Sequence, residues 1–205
     1  MADLGIRCRC GAFEGIAHDV SGGTGNRCVC YCDDCQAFAR FLEREHEILD
    51  RNGGTAIFQM SPACFEITRG AEHLACMRLS TGGTLRWYTA CCNTPIGKTL
   101  PSPVLPFIGL IENCIDFPEG VREEELLGPV RARIHGRFAT GNRESLAAHP
   151  KVPSGLLLRF LWLLAGWRLS GAHRQTPFHR PGSGEPVSEP LVLSLQDRQA
   201  LNRCA

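Results

Sequence analysis

Cys30-Tyr31-Cys32-Asp33-Asp34-Cys35 is the stretch on which the reading of this chain turns. Residues two apart on a strand project to one side, so Cys30 and Cys32 present their sulfurs together at a strand end. Cys35 follows about one turn later, at the start of a helix expected over DDCQAFARFLEREHEIL. The amides and positive dipole end of that helix favour thiolate over thiol. Three convergent thiolates with no fourth ligand nearby in sequence describe a zinc site. Either it is open, with a position left for water or substrate, or Cys28 or a distant residue closes it. The spacing leaves both readings standing.

Outward from this motif, Cys8-Arg9-Cys10-Gly11 supplies a second thiol pair, and Gly11 lets the chain turn closely around a metal. Two ligands do not complete a four-coordinate zinc, so the complement must come from far along the chain. Cys91-Cys92 is the cysteine doublet available there. Neighbours on a strand face opposite ways, so both serve one metal only if the chain turns, and Asn93-Thr94-Pro95 is turn sequence. Otherwise Cys92 binds alone and Cys91 is a buried apolar thiol. Thr89, a neutral hydroxyl, is a poor zinc ligand. The expected set is therefore Cys8, Cys10, Cys91 and Cys92. Cys28 shares strand parity with Cys30 and Cys32 and faces either their site or the core.

The chain has 205 residues and 12 cysteines. Its first residues, Met-Ala-Asp-Leu-Gly-Ile-Arg-Cys, lack the apolar core of a signal peptide, and no run reaches the roughly 20 apolar residues that span a bilayer. A soluble cytoplasmic protein is expected, with reduced thiols that bind metal rather than cross-link. Hydrophobic residues make up 43% and charged residues 21%, which is globular composition, and the net charge is +1. The broad basic field that attracts nucleic acid or acidic membranes is missing, so neither is expected as a partner.

A strand bending at Gly11 and Gly15 is expected over residues 7–20, and another over 27–32. After the helix come the strand-like segments AIFQM, CFEITRG, HLACMRLS and TLRWYTACC, then PFIGLIENCI; TGG between the third and fourth is a hairpin signal. Residues 1–120 thus read as a mainly β zinc-binding domain of small antiparallel sheets. Residues 121–205 read as a C-terminal extension with an apolar helix, SGLLLRFLWLLAGWRL, a Pro/Gly-rich arm and a short last helix. No internal repeat is present.

The order C-x-C-G, C-Y-C-x-x-C and a late aromatic strand ending C-C-N-T-P-I-G resembles the glutathione-dependent formaldehyde-activating enzyme family, which includes centromere protein V. An uncharacterised bacterial subgroup sharing CRCG, CYCDDCQAF and RWYTACCNTPIG resembles it more closely. The resemblance covers residues 7 to about 116. It implies a zinc-bound β-tent fold with two zinc sites. The C-x-C pair and a late C-x-x-C pair would hold a structural zinc, and the C-x-C-x-x-C trio an open zinc acting on thiol adducts. Two departures stand out. Thr89 occupies the place of the family's first late cysteine, and Tyr31 replaces a histidine between the first two cysteines of the trio.

Two function classes follow. One is a carbon–sulfur lyase in which Cys30, Cys32 and Cys35 hold zinc for a glutathione-type thiol or thiol adduct. The other is a non-catalytic, zinc-stabilised protein-binding module. The seven histidines, at 18, 46, 73, 135, 149, 173 and 179, form no spaced set and read as ordinary surface or core residues. Cys64, Cys76 and Cys114 read as buried apolar thiols, and Cys204 as an isolated one. Asp33 and Asp34 read as caps of the helix, and Arg86-Trp87-Tyr88 as core strand. Residues 156–169 carry too few basic residues for a membrane-surface helix, so packing on the β domain or on a second copy in a homodimer is expected.

Overall fold

The computed structural model describes residues 1–141 and 146–203; Cys204 lies outside them. The chain is mainly β, as the sequence predicts, with two sheets and a few helices. The segment expected as one bent strand forms two, β1 (Ala2–Arg7) and β2 (Glu14–Val20). Gly11 is the cause: at φ +75° it closes a turn in which its amide donates to the Cys8 carbonyl at 3.0 Å. Cys8 and Cys10 therefore leave the strand and enter a turn. Gly15 has a different duty, close approach to β5 (Phe65–Arg69), since a Cβ there would stand 2.5 Å from the Glu66 carbonyl oxygen.

A four-stranded sheet runs β10-β1-β2-β5, with β10 formed by Ile115–Asp116. The larger sheet begins from β3 (Asn26–Cys30), β4 (Thr55–Met60) and β9 (Ile108–Ile111). It continues through β8 (Thr94–Thr99), β7 (Leu85–Thr89) and β6 (Leu74–Arg78). Its two outer strands come from the C-terminal segment: β11 (Ala132–Ile134) beside β3, and β12 (Leu191–Val192) beside β6. Both outer pairings are parallel, whereas the inner ones are antiparallel.

The main core lies between the sheets and gathers Leu4, Ile6, Phe13, Phe58, Trp87 and Leu110. Phe178 of the Pro/Gly-rich arm completes it, 5.2 Å from both the Phe65 and Trp87 ring centroids. The expected long helix is broken into α1 (Asp33–Phe41) and α2 (Glu45–Ile48), because Glu43 adopts φ +56°. Neither aspartate caps α1. Cys32 is the N-cap residue and makes no side-chain cap bond, while Asp33 and Asp34 lie in the first turn, where the dipole favours them. On the far side of the large sheet α1 buries Phe38 and Leu42 against Met77, Leu79 and Ile111.

After α3 (Glu123–Leu127) and β11, the apolar segment forms α4 (Ser154–Leu169). Leu156, Leu163 and Leu164 are buried, and Phe160 meets the Phe107 ring edge-on at 5.3 Å. Arg159 turns inward, donating to Asn26 Oδ1 at 2.8 Å and to the carbonyls of Gly22, Gly23 and Gly25. The outer side keeps Leu158 and Trp162 about 70% exposed. The final helix, α5 (Leu195–Arg203), lies on α1, where Arg198 pairs with Asp34 at 2.8 Å. Among the described residues no helix is long and apolar enough to cross a membrane.

Candidate metal centres

The β1–β2 turn brings Cys8 and Cys10 to the loop joining β7 and β8. That loop spans residues 90–93, so Cys91 and Cys92 lie in the turn itself, and Thr94 and Pro95 already belong to β8. Strand alternation does not apply inside a turn, and Asn93, at φ +55°, closes it with its amide 2.8 Å from the Thr89 carbonyl. The sulfurs of Cys8, Cys10, Cys91 and Cys92 all lie within 4.8 Å of one another. Individual separations are 3.5 Å for Cys8–Cys10, 3.4 Å for Cys10–Cys91, and 3.8 Å for Cys8–Cys91 and Cys91–Cys92. A disulfide needs about 2.05 Å. A zinc tetrahedron with bonds of about 2.3 Å has sulfur–sulfur edges of about 3.8 Å, which these distances approach.

The surroundings favour negative charge on sulfur. The Phe13 amide donates to Cys8 Sγ at 3.2 Å, and Thr94 Oγ1 stands 3.2 Å from Cys92 Sγ. Burial opposes ionisation of Cys92, but bonds from Thr94, the Cys10 amide and Thr89 outweigh it and bring the thiol down to about 5. Burial and the Cys10 thiol push Cys91 up to about 12. Four thiolates at this spacing repel one another, and only a cation among them lets all ionise. Cys10 and Cys91 are exposed, so the reading of Cys91 as a buried thiol does not hold. The cluster borders a cleft of about 820 Å³ that Arg7, Arg9, Arg44 and Glu47 also line. Thr89 sits behind Cys92, 3.6 Å from its sulfur, and accepts from the Thr94 amide.

The second cluster contains Cys30, Cys32 and Cys35, again within 4.8 Å of one another, with Cys30 and Cys32 3.4 Å apart. The end of β3 presents the first two and the first turn of α1 the third. Cys28 shares their buried neighbourhood but is not in the cluster, and burial pushes its thiol up to about 12. Bonds from Cys30 and Cys32, then the charges of Lys98 and Arg86, hold Cys35 well below the usual thiol range. Lys98 Nζ is 3.9 Å from Cys35 Sγ. Lys98 and Arg86 sit opposite each other on β8 and β7, a like-charge pair that costs stability unless anions stand beside it. The thiolates are those anions on one side. On the other, Asp34 takes Arg86 at 3.4 Å.

This cluster is the covered one. Cys30 is 2% and Cys35 4% exposed, and Cys32 is half-buried. The cover is the C-terminal segment: β11 places Ala132 opposite Cys28 and Ile134 opposite Cys30, and Leu156 of α4 packs alongside. The cavity lined by Cys35, Phe38, Arg86 and Lys98 measures about 10 Å³, room for one water at most. Tyr31, in place of the histidine, is fully buried and points away, its hydroxyl donating to Asp50 Oδ2 at 2.9 Å and accepting from Arg133 at 3.1 Å.

The model of DUF6151, a family of unknown function, matches residues 2–190. The chain belongs to DUF6151. The matched span includes β11 and α4 as well as both clusters, whereas the motif resemblance stops near residue 116. No curated protein matches this DUF6151 chain. A crystal structure of a Rhodobacter sphaeroides protein is similar at 22% identity over 62% of this chain and 96% of that one, with a TM-score of 0.38. The matching family model is not that of the formaldehyde-activating family which the motifs resemble.

Lys98 and Thr94 escaped the sequence reading. The β7–β8 register shifts between Trp87↔Gly97 and Tyr88↔Pro95, so alternation along TPIGKT does not say which way Lys98 faces. Cys76 and Cys114 are buried as expected, and Cys64 is half-buried.

Proposed function

We propose that this DUF6151 protein is a two-zinc protein, with Cys8, Cys10, Cys91 and Cys92 holding one ion and Cys30, Cys32 and Cys35 the other. Both donor sets fit the metal: soft thiolates, sulfur spacings near a tetrahedral edge, and cations or amides placed to favour ionised sulfur. The role we assign is structural, in a non-catalytic module. The observation that carries it is the cover of β11 and Leu156 over the trio, with a cavity of only about 10 Å³ at Cys35. The four-cysteine ion ties the first turn to the β7–β8 hairpin, and the second ties β3 to α1. Elemental analysis should give two zinc ions per chain, and a strong chelator should lower the melting temperature. A metal-free protein with the same melting temperature would refute this reading.

A second reading, carbon–sulfur lyase chemistry on a glutathione-type thiol adduct, is favoured by three features. Among the described residues the trio has no fourth cysteine, Cys32 is half-buried rather than buried, and Lys98 stands ready to balance an added thiolate. Zinc in such a site supplies an exchangeable position for sulfur. This reading requires that formation or breakdown of S-hydroxymethylglutathione run faster than the spontaneous reaction with the native chain, and not with Cys32→Ser. Equal rates would leave the structural role alone.

A further inference from the structure

A cleft of about 370 Å³, lined by residues of 102–104 and 173–184, includes none of the clustered cysteines. Arg174, Arg180 and His173 line it, with Thr176, Ser183 and Ser102, and no Asp or Glu side chain does. Among the described residues neither Arg174 nor Arg180 makes a salt bridge or a side-chain hydrogen bond, so two guanidinium groups stand uncompensated beside one cavity. Pro181-Gly182-Ser183-Gly184 folds back as a turn in which the Arg180 amide donates to the Glu185 carbonyl at 2.7 Å.

The lining also includes His179, which is only 4% exposed. The Trp87 ring meets it edge-on with centroids 6.5 Å apart. Neither Nδ1 nor Nε2 has a partner at hydrogen-bonding geometry. Burial lowers its pKa, while the carbonyls of Leu100 and Pro101 favour the protonated ring. Even the neutral ring carries one N–H, and a buried N–H needs an acceptor. Neither ring nitrogen reaches a protein acceptor at hydrogen-bonding geometry, so that N–H is open to an acceptor from outside the described residues. An acceptor of negative charge, placed between two free guanidinium forks, satisfies all three groups at once.

We propose that this cleft binds a small oxyanion, a phosphate group either free or on a small organic molecule, through Arg174, Arg180 and His179. The cavity volume is that of small-molecule sites, which start at about 300 Å³. The site is independent of the zinc reading, and the melting temperature serves as the check that variants remain folded.

The test uses the full chain as purified, titrated calorimetrically with inorganic phosphate at low ionic strength. Saturable binding of one phosphate per chain is expected, weakening as salt screens the arginines. Arg174→Ala with Arg180→Ala, both exposed, should weaken it about tenfold or more at unchanged melting temperature, as loss of charge-assisted bonds requires. Arg122→Ala, which removes an exposed arginine paired with Glu125, should leave binding unchanged. The His179 ring nitrogen resonances should shift on adding phosphate, a readout that needs no substitution at a buried residue. Glycerol phosphate binding more tightly than phosphate would identify an organic ligand, and equal affinity the free anion. No saturable binding in the millimolar range, or full binding by the double variant, would overturn the proposal.

Discussion

At the scale of single residues, sulfur geometry was legible wherever the spacing was local. Cys30, Cys32 and Cys35 meet because a strand end and the first helical turn aim them together. Cys8 and Cys10 meet through Gly11. Cys91 was the harder residue, since its direction depends on where the hairpin turns, and it joins the cluster because Asn93 rather than Pro95 completes that turn. Cys91→Ser should therefore lower zinc from two equivalents to one; retention of both would remove Cys91 from the ligand set. His18 offers a test away from the metals. It bridges Asp3 at 2.9 Å and Glu66 at 3.0 Å, joining β1, β2 and β5, and those bonds raise its pKa above 6.5. The folded-state value lies above the unfolded one, so this stabilisation is complete below about pH 6.5 and fades as pH rises through the folded value. The melting-temperature gap between the native chain and His18→Gln should narrow from mildly acidic to alkaline pH. Solvent keeps the effect small at this half-buried surface site. A gap that widens toward alkaline pH would contradict the assignment.

At the scale of elements, β3 carries the most at stake, buried along its whole length and leading into the three-cysteine cluster. Arg27 within it is buried and forks onto Glu112, its Nε and Nη2 donating at 2.9 and 2.7 Å, with Glu123 as a further partner. Glu112 follows β9 directly, so the pair fastens β3 to the far side of β4. Removing one member of a buried pair leaves an uncompensated charge, at a cost of about 3–5 kcal/mol. Glu123 remains available, so Glu112→Gln should cost about 3 kcal/mol, the lower end of that range. The exposed Arg122–Glu125 pair provides the contrast, and Glu125→Gln should cost less than about 1 kcal/mol. Denaturant unfolding of both variants checks this, and equal losses would mean that burial is not what matters. The sequence did not reveal the Arg27–Glu112 pair, because 85 residues separate its members. Local propensity nevertheless placed most strands and α4. It missed β8, whose first residues Thr94 and Pro95 read as turn sequence, and it did not see that β11 and β12 are strands, since their short parallel pairing is held by tertiary contact.

At the scale of the whole molecule, the resemblance and the structure part company over access. The motifs imply a structural four-cysteine zinc and an open three-cysteine zinc. In the folded chain the four-cysteine set reaches solvent through Cys91 and through Cys10, which lines the large cleft, while the trio lies under β11 and α4. This reversal comes from residues beyond 120, whose pairing with β3 could not be read from their polar, turn-rich sequence. It fixes an order of reaction. An alkylating reagent needs a thiolate it can touch, and zinc-bound sulfurs are already ionised, so exposure rather than pKa sets the rate. A bulky maleimide added in slight excess to the zinc-loaded protein should label Cys10 and Cys91 first, with release of one zinc. Cys30 and Cys35 should follow only when the cover of β11 opens. Peptide mapping against time, with a chromogenic chelator reporting zinc, measures both events together. The missing fourth thiol at the trio acts the other way, because a three-ligand ion is the easier one to displace once reached. Slow second-phase labelling that quickens in mild denaturant, with no change in the first phase, means that the cover controls access. Labelling of Cys30 or Cys35 ahead of Cys10 would mean that the trio opens to solvent in the folded chain, and would return the lyase reading to first place.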